Sequence, residues 1–211
     1  MENVMIDIET MGRNGGCVVM SIAAVQFFFG DSAKSLETPD HLALPMCVSE
    51  QVQFYRNLNV TEQLLEGFTV ESETQKWWMK QSPAARNPLL NDSPDRVKDV
   101  LLALKDFLRA IGPKEEVRVW AQGTDFDISI LRYMYHRYGG PDSEPWTHTN
   151  IFDARTYIYT YGALLGFDDP YAAIPPFRTV STHSALFDAT RSAYNVAYLG
   201  NLLHEKIKIL E

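Results

Sequence analysis

Two acidic residues separated by a single isoleucine, Asp7 and Glu9, stand near the start of the chain in the segment MENVMIDIET. The apolar residues around them predict a strand over positions 4–9, and side chains two positions apart on a strand point to the same face. Burying two carboxylates together is costly unless a cation lies between them. The pair is therefore a candidate divalent-cation site, although about one such triplet is expected by chance in a chain of this composition.

A third acid, Asp127, follows a predicted strand at 117–121 in the segment WAQGTDFDISIL. At the start of a helix its carboxylate can reach the end of the sheet where Asp7 is expected. The alternative is a helix N-cap, for which Asp125 is the better candidate. Both interpretations stay open on the local sequence.

A histidine and a fourth acid, His183 and Asp188, lie in the segment THSALFDATRSAY. The histidine precedes a predicted helix, and the aspartate projects from the first turns of that helix. Histidine side chains titrate near neutral pH and serve as general bases, but this spacing also arises by chance. A structural histidine is the alternative.

The elements that must position these residues change in type along the chain. Apolar patterns predict strands at 4–9, 18–29, 42–48 and 52–59, and helices follow after Thr61. The clearest helix has Ser93 as N-cap and Pro94 at its first position, and stops at Gly112-Pro113. A strand at 117–121 precedes helices that open near 127, 153 and 184. This order predicts an α/β fold with a mixed sheet flanked by helices.

Length and composition predict one domain over residues 1–211, with 45% hydrophobic and 22% charged residues. The apolar stretch at 17–29 is shorter than the ~20 residues of a spanning helix, so no membrane segment is predicted. Acids stand where a secretory signal carries basic residues, and two cysteines without CxxC spacing suit a reducing compartment. The expected location is the cytoplasm.

The net charge of −8 at pH 7 is unusual for a protein that binds nucleic acid. It suits an acidic enzyme acting on small molecules, but cations held by clustered carboxylates would reverse the local charge. Between Glu115 and Glu205 the chain has no lysine but carries six arginines. Pairing with neighbouring acids is the expected role for most of these: Arg118, Arg132, Arg137, Arg155, Arg178 and Arg191.

Taken together and in this order, the motifs resemble the DnaQ-like, or DEDDh, exonuclease superfamily. DIET at 7–10, FD at 126–127 followed by ISIL, and HSALFDA at 183–189 match its three motifs. The resemblance implies a ribonuclease H-like fold, with three antiparallel N-terminal strands followed by alternating helices and strands. It implies a 3′→5′ exonuclease that hydrolyses phosphodiester bonds of single-stranded nucleic acid with a free 3′ end and releases nucleoside 5′-monophosphates.

The resemblance also implies a role for each motif residue. Asp7 would bridge two Mg²⁺ or Mn²⁺ ions, Glu9 and Asp188 would hold the ion that carries the attacking water, and Asp127 would support the second ion. His183 would be the general base. Thus the four acids are the expected metal ligands.

Residues beside the motifs are expected to contact substrate. By resemblance, Thr10 and Met11 would meet the 3′-terminal nucleotide. Of the adjacent Trp77 and Trp78, one is expected in the core, because neighbours on a helix cannot share a face. The other could stack on a base, for which Trp78 is the candidate, and core packing of both is the alternative.

A narrower resemblance concerns the substrate. ETQKWWMKQSPAAR at 73–86 and FDART at 152–156 are similar to stretches of the phage exonuclease A and exonuclease VIII-like branch. This favours single-stranded DNA. An exoribonuclease of the same superfamily, a catalytically silent nucleic-acid-binding protein on this fold, and a ribonuclease H-type endonuclease are the alternatives.

Overall fold

A five-stranded mixed sheet forms the centre of the computed structural model, which describes residues 1–29, 48–83, 85–86, 95–175 and 183–210. The strand order is β3-β2-β1-β4-β5. The first three strands pair antiparallel, as the resemblance implied, and the last two run parallel to the first. The strands are β1 Glu2–Thr10, β2 Val19–Phe27, β3 Val48–Asn57, β4 Val117–Ala121 and β5 Ile151–Asp153.

Helices cover both faces of the sheet. Their bounds are α1 Val60–Leu65, α2 Ser72–Lys80, α3 Val97–Ile111, α4 Asp127–Gly139, α5 Ala154–Leu165, α6 Pro170–Ala173 and α7 Ala185–Leu210. None of these described helices is both long enough and apolar enough to cross a bilayer.

The central strand β1 divides its side chains between two hydrophobic cores. Val4, Ile6 and Ile8 pack in the core that contains α3 and α4. Met5 faces the opposite core, built with α5 and α7. Because side chains alternate along a strand, Asp7 and Glu9 continue the face of Met5. The two acids therefore lie on the side of the sheet that α7 covers.

Helix α7 approaches the sheet through a row of alanines spaced four residues apart, which lie on one helical face. All four are fully buried: Ala185, Ala189, Ala193 and Ala197. Small side chains allow the helix axis to lie near the strands. This packing brings the first turn of α7 to β1.

Three elements differ from the sequence predictions. Strand β3 spans Val48–Asn57, whereas a strand was predicted at 52–59. Strand β5, only three residues long, was not predicted, because so short a segment shows no alternation. Helix α3 begins at Val97, whose N–H donates to the Glu62 carboxylate at 2.8 Å, so a distant acid supplies the cap. The predicted cap at Ser93 and Pro94, and the predicted strand at 42–48 except Val48, lie outside the described residues.

Candidate active site

Three carboxylates meet where β1 passes the first turn of α7. Asp7 and Glu9 come from one face of β1, and Asp188 comes from α7. One oxygen from each residue lies within 4.8 Å of the others. Carboxylate oxygens are the ligands that hard divalent cations prefer. The predicted convergence of these three acids is therefore present, and their donor set suits Mg²⁺ or Mn²⁺.

Asp127 reaches the same strand from the start of α4. Strand β4 pairs with β1 only as far as Met5, so the N–H of Ile8 lies beyond the last β4 pair. Asp127 Oδ1 accepts a hydrogen bond from this N–H at 3.2 Å. The N-cap of α4 is Phe126, which makes no side-chain cap bond, and Asp125 is exposed. Asp127 is thus the acid of this segment that faces β1.

Burial and mutual repulsion disfavour the charged forms of these acids. Burial, followed by the charges of Asp127, Glu9 and Asp188, raises the pKa of Asp7 well above its usual value. Burial, followed by Asp188 and Asp127, raises the pKa of Glu9 to about 8. Burial raises the pKa of Asp127 to about 7, against the opposing bond from Ile8. A bound divalent cation would reverse these shifts, so the acids suit a metal site.

His183 stands directly before α7 with a φ of 63°, in the left-handed region that non-glycine residues rarely adopt. Burial raises the pKa of Asp188, and the charges of Arg191 and His183 oppose that rise. The ring of His183 lies edge-on to Trp77, with centroids 4.8 Å apart, and 6.4 Å from the ring of Trp78. The predicted histidine therefore borders the acids.

A cleft of about 360 Å³ adjoins Glu9. Its lining includes Thr10, Trp77, Trp78 and Phe126. Trp78 is only 4% exposed, and its indole N–H donates to the Thr10 carbonyl at 2.8 Å, whereas Trp77 is 41% exposed. The choice of Trp78 for base stacking is corrected, because its buried ring offers no free face. Trp77 is the accessible tryptophan.

The other two residues expected at the substrate have different surroundings. Thr10 borders the cleft but is 5% exposed, and its hydroxyl donates to the Gly12 carbonyl. Met11 is partly buried and packs against the core that contains α3 and α4. Thr10 therefore remains a candidate cleft residue, while the contacts of Met11 are with the core.

Several polar residues near the acids were not predicted as site residues. Arg191 lies 2.9 Å from Asp188 Oδ1, an instance of the pairing expected for the arginines. Burial raises the pKa of Asp127, and the charge of Arg155 partly opposes that rise. Asp153 accepts from the N–H of Thr124 at 3.0 Å and thereby holds the loop before α4. Arg191 and Asp188 are three positions apart on α7, whereas the fold of the sheet brings Asp153 to Thr124.

Two solved structures of nucleases share this fold. Cell-death related nuclease 4 (CRN-4) superposes with a TM-score of 0.55 at 13% identity, covering 97% of this chain and 64% of that chain. The nuclease domain of 3′hExo, a DEDDh family member bound to rAMP, gives a TM-score of 0.54 at 10% identity, covering 97% and 92%. These likenesses show the ribonuclease H-like fold that was predicted.

The family is shown by sequence. The family model of the 3′-5′ exoribonuclease Rv2179c-like domain matches residues 2–199, so the chain belongs to the Rv2179c-like family. Residues 2–199 therefore form a 3′→5′ exonuclease domain. No curated protein matches the chain by sequence. The narrower likeness to phage exonuclease A and exonuclease VIII is not shown, and one domain over 1–211 stays a prediction.

Proposed function

We propose that this chain is a magnesium- or manganese-dependent exonuclease that removes nucleoside 5′-monophosphates from the 3′ end of single-stranded RNA. The observation that carries the proposal is the convergence of Asp7, Glu9 and Asp188 on one face of the sheet. The family's description as an exoribonuclease supports RNA. Single-stranded DNA, which the sequence favoured, is the competing substrate.

The proposed ligands of two divalent ions are Asp7, Glu9, Asp127 and Asp188. Such ions, when bound, stabilise charge on the attacking and leaving oxygens of the phosphodiester and acidify water. The chain contributes a preorganised set of acids. Asp127 is oriented by the N–H of Ile8, and Asp188 by Arg191. Electrostatic preorganisation of this kind supplies much of the rate enhancement in hydrolysis of charged esters.

His183 is the proposed general base. It precedes the first turn of α7, which carries Asp188, and its ring contacts Trp77 in the lining of the cleft. The imidazole would accept the proton of the attacking water as the new P–O bond forms. The P–O bond to the 3′ oxygen of the preceding nucleotide breaks, that oxygen takes up a proton from water, and a nucleoside 5′-monophosphate is released. General-base catalysis of this kind contributes about 10²–10⁴-fold.

The cleft beside Glu9 is the proposed binding site of the 3′-terminal nucleotide. Its volume of about 360 Å³ is at the small end of ligand pockets, which suits one nucleotide. Trp77 and Phe126 offer apolar surface to a base, and Thr10 lines the same cleft. The scissile phosphate would then lie over the carboxylates.

Oligonucleotides of one sequence, made as RNA and as DNA and labelled at the 5′ end, test this function. We expect a ladder of shortening labelled RNA, slowed by a 3′ block, abolished by chelator and restored by Mg²⁺ or Mn²⁺. Asp7→Asn should be inactive, and Asp125→Asn, which changes an exposed acid, should be active. Immediate release of the labelled 5′ nucleotide, or cutting of circular substrate, would overturn the exonuclease proposal. Faster digestion of DNA would overturn RNA as the preferred substrate.

A further inference from the structure

The exposed ring of Trp77 contacts the proposed base and also lines the cleft. We propose that Trp77 is a positioning residue for His183, holding the imidazole where it can take the proton of the attacking water. This inference rests on the proposed function, in which His183 is the base. The same ring lines the cleft, so a nucleotide bound there and the imidazole of His183 would both contact Trp77.

The geometry of three rings is the first observation. Trp77 and His183 have centroids 4.8 Å apart and planes at 82°, an edge-to-face arrangement that aromatic rings favour. Trp78 meets Trp77 in the same way, at 4.9 Å and 80°. The buried Trp78 thus supports Trp77, and Trp77 supports His183. The ring of Trp77 itself remains 41% exposed, so it is not a core residue.

The second observation is that α2, which carries both tryptophans, is fastened to the end of β1. The indole of Trp78 donates to the Thr10 carbonyl at 2.8 Å, and the N–H of Glu71 donates to the Met11 carbonyl at 2.8 Å. The Glu71 carboxylate also accepts from the N–H of Arg13 at 2.9 Å. The ring of Trp77 is therefore held in a fixed relation to the strand that bears Asp7 and Glu9.

The third observation concerns His183, which has a left-handed backbone and precedes the first residue of α7. The ring contacts that the structure shows for its imidazole are both with tryptophans. Without Trp77 the imidazole loses the nearer contact and can rotate. A displacement of about 1 Å in a catalytic group can cost about 10²-fold in rate.

A double-mutant cycle at saturating RNA and Mg²⁺ tests this inference. Trp77→Ala should lower kcat by about 10-fold to 100-fold, and Trp77→Phe should recover most of the loss because a ring is restored. In a His183→Ala background, Trp77→Ala should change kcat by no more than about 2-fold, since no imidazole remains to be positioned. Met79→Ala is the matched control, because Met79 is exposed on the same helix.

The outcomes separate positioning from other roles. An equal loss of kcat in both backgrounds, or a raised KM with unchanged kcat, would mean that Trp77 acts on substrate directly and would overturn the inference. If Trp77→Ala does not fold, Trp77→Leu retains bulk without a ring and should show the same loss. Wild-type kcat in His183→Ala would instead reject the proposed base, a failure of the proposed function that the single variant identifies by itself.

Discussion

The backbone N–H of Ile8 donates a hydrogen bond to Oδ1 of Asp127 at 3.2 Å. Ile8 stands between Asp7 and Glu9 on β1, so this bond joins the fourth acid to the strand that carries the first two. The N–H is available because β4 pairs with β1 only as far as Met5. The early end of the β1–β4 pairing thus leaves the position that the Asp127 carboxylate fills.

Asp127→Asn should separate catalysis from folding. Asparagine keeps an oxygen that can accept from Ile8 but carries no charge, so the metal-free protein should stay folded while activity falls by at least about 10²-fold. Asp127→Ala should lower the free energy of unfolding by about 1–3 kcal/mol, because a buried N–H loses its partner. Urea unfolding and oligonucleotide digestion measure the two effects.

Asp125→Asn is the control for that substitution, since Asp125 is exposed and stands two positions before Asp127. It should change neither stability nor turnover appreciably. A large loss of activity in Asp125→Asn together with an active Asp127→Asn would exchange the assignments of these two aspartates.

The stability of the metal-free protein should fall as pH rises from 6 to 8. Burial and neighbouring acids raise the pKa of Glu9 from 4.5 to about 8, and burial raises the pKa of Asp127 from 3.8 to about 7. In this window the folded protein retains protons that the unfolded chain has lost, so each step up in pH favours unfolding. Below about pH 4 Glu9 and Asp127 carry protons in both the folded and the unfolded state. The two groups then no longer make the free energy of unfolding depend on pH.

Metal should oppose this trend, because bound cations displace the protons and stabilise the charged acids. The rise in melting temperature produced by Mg²⁺ should therefore grow from pH 6 to pH 8. Melting curves at constant ionic strength, with and without the ion, measure both slopes. Glu9→Gln should reduce the fall of the melting temperature with pH in the absence of metal. A wild-type melting temperature that increases from pH 6 to pH 8 without metal would contradict the burial of these acids.

His183→Ala should lower turnover by about 10²–10⁴-fold while leaving metal binding in place. The reason is that the acids remain but the proton acceptor is lost. Single-turnover digestion and the metal-induced change in melting temperature give the two readouts. His136→Ala serves as the control: this histidine is bonded to Glu144 on the surface at 2.9 Å, and its removal should leave turnover unchanged. An unchanged turnover in His183→Ala would make His183 a structural residue.

Trp78→Phe should destabilise the protein by about 1–3 kcal/mol, because the buried Thr10 carbonyl loses its donor. Trp77→Phe, at a site that is 41% exposed, should change the free energy of unfolding much less. Denaturant unfolding of the two variants makes the comparison. Equal losses would contradict the division of the pair into one core and one cleft residue.

The sequence predicted the positions of the acids because strand periodicity determines them. Asp7 and Glu9 must share a face of β1, and the structure places both beside Asp188. The order of strands and helices, apart from β5, followed from apolar periodicity. The resemblance implied that Asp188 meets Asp7 and Glu9. Periodicity did not predict the contact between β1 and the first turn of α7, which depends on the packing of buried alanines.

Other features were beyond local sequence rules. Helical spacing predicts that Trp77 and Trp78 point in different directions. Which of them faces the core depends on the hydrogen bonds that join α2 and its N-cap to the carbonyls of Thr10 and Met11. The start of α3 depends on Glu62, a residue 35 positions away. Such contacts are long-range in sequence, so neither capping rules nor periodicity could predict them.

The most direct test of the metal site is the melting temperature of wild type and Asp7→Asn, each with and without Mg²⁺ at pH 8. Asp7 lies within the acid cluster, and its substitution removes a charge at nearly constant shape. We predict that Mg²⁺ raises the melting temperature of the wild type, because it binds the folded state preferentially. Asp7→Asn should be as stable as the metal-free wild type or more so, and should show almost no rise with Mg²⁺. An undiminished rise in Asp7→Asn would contradict the assignment of Asp7 as a metal ligand.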